Sequence, residues 1–247
     1  MDWTEEFFDE YYLQSIDKLT GEEQTRREVD FLLEKINLAK DDAILDLACG
    51  HGRHALDLAG RGFSQITGID ITLTYIEMAR QKASGLPSPP RFIDADMREL
   101  SYRTRYKLIY SLFTSMFYFS DEDNLDILKR VFEALKSGGY FVVDYFNPPA
   151  FLKSGKRKDW YITANDSVIL DKFSHNPISG VITTERLIIT PEGKRIKRVF
   201  HLRDYTVSEL RFHFESIGFE ILDVFGNFEG EKYHVDSTRQ IYFMSKK

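Results

Sequence analysis

The stretch that decides the fold is ILDLACGHGRHALDLAGRG, residues 44–62. A short apolar run meets an acid at Asp46, passes two closely spaced glycines, Gly50 and Gly52, and leaves with helical spacing. Strand, glycine turn and helix in that order open a parallel α/β unit, since a crossover helix returns the chain to the next parallel strand. The two glycines let the backbone bend sharply and let a ligand lie against it with no side chain between. In an open α/β sheet ligands bind beyond the carboxyl ends of the strands, which is where this turn lies.

The same rhythm repeats downstream. QITGID (65–70), RFIDAD (91–96), KLIYSL (107–112) and YFVVDYF (140–146) read as further strands, with helices over Leu73–Ala83 and after a cap at Ser120, the latter stopped at Gly138 and Gly139. Upstream, about 40 residues read as two helices: Phe7, Phe8, Tyr11, Tyr12, Ser15, Ile16 and Leu19 recur at helical spacing, and Thr20 with Glu23 predicts a capping box for the second. Beyond Asn147 the period changes to two: SVILDKF, VITTERLIIT and KRIKRVFHLRDY alternate apolar and polar residues between the turn signals HNPISG and TPEGK. A helix over about 206–217 and two strands, 219–226 and 240–246, return the chain to the main sheet. The expected architecture is an α/β doubly wound, seven-stranded, mostly parallel sheet. Residues 1–40 are N-terminal helices, 41–149 with 206–247 form the sheet domain, and 150–205 form a small antiparallel β insertion.

Composition narrows the function. With 247 residues, 43% hydrophobic and 29% charged, the chain suits one soluble domain with an insertion, and no run of about 18 apolar residues is present to span a bilayer. The acidic start MDWTEEFFDEYY is unlike an export signal, so a cytoplasmic location is expected. One cysteine, Cys49, excludes a disulfide framework and a cysteine-rich zinc site, and no metal is expected. A net charge of −6 argues against nucleic acid as the partner.

Gly50, Gly52 and Ala55 satisfy G-x-G-x-x-A, so a nicotinamide-dependent oxidoreductase is one reading. Against it, Asp46 sits where a carboxylate would be awkward beside a pyrophosphate but would suit a ligand carrying an ammonium. Two helices also precede the first strand. Acids recur at 46, 70 and 96, each at an expected strand end. On these residues the chain resembles class I S-adenosylmethionine-dependent methyltransferases, whose loop reads acid-x-G-x-G-x-G; DLACGHG (46–52) matches it with Ala48 in place of the first glycine. The resemblance implies that Asp46, Ala48 and Gly50 line the methionine end of S-adenosylmethionine and that Asp70 accepts hydrogen bonds from the ribose. It further implies that Ile71 packs on the adenine, that Asp96 and Met97 hold its edge and ring, and that the backbone at 111–113, with Leu112, passes beneath the cofactor. Tyr12 is carried over as an aromatic that closes on the donor, where its ring would attract a sulfonium. Taken singly, Asp70 and Asp96 could instead be caps or turn residues. Of His51, Arg53 and His54, one can touch the cofactor carboxylate and at least two are expected in solvent; Cys49 is read as a small buried residue.

Methyl transfer from a sulfonium relies on positioning, with a base needed only where the acceptor must lose a proton. No catalytic triad is visible, and the sequence nominates no catalytic residue. NPPA (147–150) is similar to the amino-group methyltransferase signature but follows the fifth strand and lacks its aromatic, so it is read as a structural turn. SLFTSMFYFSDEDN (111–124) and the insertion resemble the small-molecule branch, in which the insertion covers the acceptor. That makes Phe113, Thr114, Ser115, Tyr118, Phe146, Asn147, His201, Arg203 and Tyr205 acceptor candidates, each with core packing as its alternative. The expected activity is transfer to N or O of a small molecule, with a non-catalytic cofactor-binding protein as a further alternative. Between 150 and 205 eleven Lys or Arg face six Asp or Glu, a net of +5, leaving −11 elsewhere to reach −6. A basic cover would attract a phosphorylated or carboxylated acceptor; lysines protecting a solvated strand edge are the other reading.

Overall fold

The computed structural model describes residues 8–16 and 19–247; Phe7 of the first helical stripe lies outside them. Helices α1 (Glu10–Ile16) and α2 (Glu22–Lys35) precede β1 (Ile44–Leu47). There follow α3 (Arg53–Gly60), β2 (Ile66–Asp70), α4 (Leu73–Ala83), β3 (Arg91–Asp94), β4 (Tyr106–Ser111), α5 (Asp121–Ala134) and β5 (Leu135–Phe146). The second half holds α6 (Pro148–Lys153), β6 (Lys158–Ile162), β7 (Val168–Asn176), β8 (Val181–Ile189), β9 (Arg195–Arg203), α7 (Val207–Ile217), β10 (Phe219–Phe225) and β11 (Arg239–Lys246).

The main sheet has seven strands in the order β10-β11-β5-β4-β1-β2-β3, with β11 antiparallel to both neighbours. The chain leaves β1 toward β2 and β3 on one side and then fills β4 and β5 on the other, so the strand order reverses between β1 and β4. A doubly wound sheet opens a crevice at that point. Both faces are covered, as the wholly buried β1 demands. One apolar cluster joins Leu45, Ile109 and Val143 to Leu128 of α5 and Phe214 of α7. The other joins Ile44, Leu108 and Val142 to Leu32 of α2, Leu58 of α3 and Ile76 of α4.

Strands β6 to β9 form a separate four-stranded antiparallel sheet in chain order. Its inner face carries Ile169, Ile188 and Ile196, packed against Tyr11 and Tyr161. Four polar contacts tie α1 and its entry to this sheet: Arg198 to Asp9, Arg186 to the Ser15 hydroxyl at 2.9 Å, Lys194 to the Tyr11 hydroxyl at 2.8 Å and Asn165 to Gln14 at 2.9 Å. The basic residues of the insertion therefore spend much of their charge on the N-terminal helix and on nearby acids, as Arg186 does on buried Asp171.

Three local expectations are corrected. The N-cap of α2 is Gly21, without a side-chain cap, because the Thr20 hydroxyl donates back to the Ile16 carbonyl and so finishes the preceding helix. Helix α5 ends at Ala134 and β5 starts at once, taking Gly138 and Gly139 into the strand across a register shift. Strand β3 ends at Asp94. Asp96 lies beyond it, as the N-cap of a single 3₁₀ turn, Met97–Glu99.

Candidate active site

The four strand ends at the switch point deliver the site. Because β1, β2 and β3 lie side by side in parallel, the acids at or just past their carboxyl ends fall along one rim. One cavity, with an empty volume of about 970 Å³ counted out to its open mouth, is lined by Asp46, Ala48, Gly50, Asp70, Ile71, Asp96, Met97, Leu112 and, from α1, Tyr12. All nine residues nominated from the sequence thus meet in one place.

The glycine turn divides its labour. Gly50 has φ +54°, and a Cβ built there meets nothing within 4 Å, so it leaves open space along the turn. Gly52, at φ +79°, backs onto the protein: a Cβ would lie 2.7 Å from the Phe92 ring and 3.0 Å from the Ala79 methyl. Ala48 occupies the same left-handed region, φ 59°, where a side chain is strained.

The three acids have different surroundings. Asp70 accepts from the Gly50 amide at 2.8 Å and the Thr72 amide at 2.9 Å, while burial pushes its carboxyl upward. Asp96 accepts from the Arg98 amide and guanidinium, each at 2.8 Å, so it caps its turn while facing the cavity. Asp46 is 2% exposed and its Oδ2 has no hydrogen-bond partner. Burial first, and the charge of Asp70 with it, drive its carboxyl up to about 7 against the opposing pull of Tyr110 and Arg53. A deeply buried acceptor without a partner is costly unless something completes it.

The residues after the second glycine depart from expectation. His54 is buried, while Arg53, with a side-chain exposure of 10%, and His51 are each partly buried, so none of the three stands free in solvent. Their burial traces to Glu28 of α2, 2% exposed, whose Oε2 takes the Arg53 Nη1 at 2.5 Å and the His54 Nε2 at 2.6 Å. Burial alone would raise Glu28; the His54 hydrogen bond and then the Arg53 charge reverse this and bring it to about 2. His54 is held down at about 4, by burial first and Arg53 second, so it is neutral at pH 7 and donates from Nε2. No sequence spacing announces that Glu28 and Arg53 meet, since 25 residues and a whole strand separate them.

Of the acceptor candidates, Phe113, Ser115 and Tyr118 line the cavity, joined by Phe8 and Phe119. The others are structural. Thr114 is bonded to Arg239, and Phe146 packs between Tyr145 and Phe151. Asn147, 1% exposed, donates to the Val235 and Ser237 carbonyls and accepts from Gln240 and Tyr233, which bears out the reading of NPPA as structure. His201 pairs with Thr183 across the strands, Arg203 with Asp121 and Asp204, and Tyr205 with Asp121.

What sequence reading missed is the frame of the loop after β4. Phe113, Thr114 and Phe117 all have positive φ, between 57° and 73°. Asp144, wholly buried on β5, accepts from the Phe113 amide at 2.7 Å through Oδ2 and from both Arg239 nitrogens, while Arg239 also donates to the Thr114 hydroxyl at 2.8 Å. Burial raises the Asp144 carboxyl; Arg239 opposes that and keeps the pair together.

Comparison with known proteins agrees with this geometry. A methyltransferase domain family matches residues 44–139, β1 through the first glycines of β5. A protein of a Geobacillus strain, named as a methyltransferase, is 25% identical over 211 residues, covering 83% of this chain and 84% of that one. Among solved structures, an S-adenosylmethionine-dependent methyltransferase of Clostridium acetobutylicum superposes with a TM-score of 0.80 at 21% identity, covering 90% of this chain and 92% of that one. CalS10, an amino pentose methyltransferase of Micromonospora echinaspora solved with S-adenosylmethionine bound, superposes with a TM-score of 0.67 at 18% identity over 91% of each chain.

Proposed function

We propose that this chain is a class I S-adenosylmethionine-dependent methyltransferase that transfers the methyl group to a nitrogen or oxygen of a small-molecule acceptor in the cytoplasm, a reading supported by the methyltransferase domain match, the similarity to a methyltransferase of a Geobacillus strain and the shared fold. On this reading the G-x-G-x-x-A match of Gly50, Gly52 and Ala55 serves S-adenosylmethionine and not a dinucleotide. The observation that carries the proposal is the single cavity that gathers Asp46, Gly50, Asp70, Asp96 and Met97 from successive strand ends and adds a wall of Phe8, Phe113, Tyr118 and Phe119.

The fit to the cofactor rests on Gly50, whose missing side chain opens the turn, and on Asp46, whose unpartnered oxygen suits an ammonium. Asp70 would hold the ribose, Ile71, Met97 and Leu112 the adenine ring, and Asp96 its amino edge. When bound, S-adenosylmethionine supplies a methyl group on sulfonium sulfur, a good leaving group. This chain's part is positioning: α1 places Tyr12, Leu13 and Ile16 over the site, and the antiparallel sheet holds α1 in place. That roof supports a small acceptor over a macromolecular one, and the likeness in fold to an amino pentose methyltransferase is consistent with an amine. Lys and Arg of 150–205 are not part of the cavity wall, so the basic insertion gives an anionic acceptor no support there.

The test is a thermal-shift titration with S-adenosylhomocysteine, NAD and NADP, followed by transfer of labelled methyl to amines, amino sugars and phosphorylated metabolites. A ligand that binds only the native state raises the melting temperature. Stabilisation by S-adenosylhomocysteine alone, with label moving to one class of amine or hydroxyl compound, is the expected result. Stabilisation by NAD instead overturns the reading.

A further inference from the structure

The antiparallel sheet is apolar on both faces, but only one of them is covered. Side chains alternate along its strands, and the inner set, with Ile169, Ile188 and Ile196, packs against Tyr11 of α1. On the outer set Trp160 is 67% exposed, and Ile162 and Leu170 are exposed with it. The register joins them into two neighbouring cross-strand rows. Ile162, Val168 and Ile189 form one, and Trp160, Leu170 and Leu187 form the next. On β9 these rows end in Arg195 and Lys197, and a third row runs from Lys158 through Lys172 and Glu185 to Val199. Trp160, Leu170, Leu187 and Lys197 line one open depression. Six contiguous apolar side chains rimmed by charge mark an interaction surface.

We infer that this outer face is the interface of a two-fold dimer, and that its occupant is the same face of a second copy. The face is self-complementary. Two sheets packed in the aligned manner lie about 10 Å apart with strand directions within about 30° of each other. A two-fold axis along the strands, between β7 and β8, lays each row on its own copy in reverse order. Leu170 then meets Leu187 of the partner subunit and Val168 meets Ile189 of the partner subunit, apolar on apolar. Trp160 meets Lys197 of the partner subunit, a cation over an aromatic ring. Lys172 meets Glu185 of the partner subunit; within one chain these two already pair at 2.9 Å, so four charges join in one network. An anionic lipid surface would also attract the basic rim, but it would set Glu185 against phosphates, whereas a second copy pairs it. None of these residues lines the cavity of the cofactor, so the inference goes beyond the functional reading and does not rest on it.

Sedimentation equilibrium up to about 100 μM is the test, and the unaltered chain is expected to be a dimer. Trp160→Ser removes two aromatic anchors from each dimer and is expected to weaken it roughly 100-fold or more. Ile178→Ser, in the turn between β7 and β8 and 96% exposed, is expected to change nothing. Lys172→Glu and Glu185→Lys each set like charges face to face and are each expected to weaken self-association at least about tenfold. Mixed together, these two variants are expected to form a heterodimer as tight as the unaltered dimer, because every acid again meets a lysine. Repulsion within one chain is not relieved by mixing, so recovery reads the contact between copies. Far-UV circular dichroism checks that each variant is folded; should Trp160→Ser not fold, the mixing experiment decides. A chain that is monomeric at the highest concentration overturns the inference, in favour of a lipid surface if it sediments with phosphatidylglycerol vesicles. A dimer left intact by Trp160→Ser, or charge variants that do not recover on mixing, overturn it as well.

Discussion

Two loops face one cavity and are built on opposite principles. The turn after β1 bends because its own residues allow it: Gly50 and Gly52 supply positive φ, and the carboxylate that accepts from the Gly50 amide, Asp70, is one strand away. The loop after β4 bends although its residues resist. Phe113, Thr114 and Phe117 take left-handed conformations that cost of order 1 kcal/mol or more apiece; the first two are held by Asp144 and Arg239, 31 and 126 positions beyond Phe113, and the Phe117 carbonyl accepts from the Arg203 amide. Strain of this kind persists only where the surroundings over-determine it, and here it presents Phe113, Ser115 and Tyr118 to the cavity.

The largest effect expected from breaking this contrast is at the clamp. Arg239→Ala leaves Asp144 buried without its cation, and losing one partner of such a pair costs about 3–5 kcal/mol. Urea unfolding is the measurement, with an unchanged midpoint as the result that refutes the clamp. On the other side of the cavity, Asp70→Ala should leave the fold intact and weaken S-adenosylhomocysteine roughly 10- to 100-fold, because the ribose loses a charge-assisted acceptor. Similar unfolding costs at both positions would erase the distinction between a loop held from afar and a turn that holds itself.

This contrast also separates what the sequence discloses from what it conceals. The strand rhythm, the switch-point turn and the three acids were readable because each is a short-range pattern: apolar runs of fixed length, glycines at a strand end, an acid at each exit. The insertion was readable from its period of two and its turn residues, and NPPA from its wrong place in the chain. The fates of Arg53 and His54 were not, since their burial is decided by Glu28 on a helix that precedes the sheet. Nor was the clamp, because nothing local distinguishes Asp144, near the end of β5 among apolar neighbours, from a mispatterned residue. Asp96 shows that alternatives need not exclude each other: it is a helix cap and a cavity-lining acid at once.

Acidity sharpens the comparison further. In the free protein burial, with the charge of Asp70, pushes the Asp46 carboxyl up to about 7 from its ordinary 3.8, against Tyr110 and Arg53, which favour the ion. The folded state therefore holds a proton that the unfolded chain has lost between those values. That stability is fully present below about 3.8 and is lost as pH rises through about 7. A bound ammonium favours the ion and compensates the loss. The rise in melting temperature caused by S-adenosylhomocysteine should accordingly grow between about pH 5.5 and 8. Asp46→Asn should remove most of that slope, leaving the remainder to Asp70, which burial raises as well. A slope unaffected by the substitution would place the titrating group elsewhere.

The smallest effect expected distinguishes the two loops most finely. Ala48 is the one residue of the β1 turn that resists its own conformation, at φ 59°. Ala48→Gly removes a left-handed penalty of about 1–2 kcal/mol and adds chain entropy to the unfolded state worth about 0.5–1 kcal/mol, so a net gain of up to about 1 kcal/mol is expected. The side chain given up is one methyl. Phe113 has nearly the same angle, φ 63°, yet Phe113→Gly should not stabilise, because its ring lies 5.5 Å from the Arg53 guanidinium and forms part of the cavity wall. Thermal unfolding of the two glycine variants side by side reads the difference directly. A gain at both positions would mean that the β4 loop carries its strain to no purpose, whereas a gain at Ala48 alone marks the strain at Phe113 as the cost of holding an aromatic ring over the site.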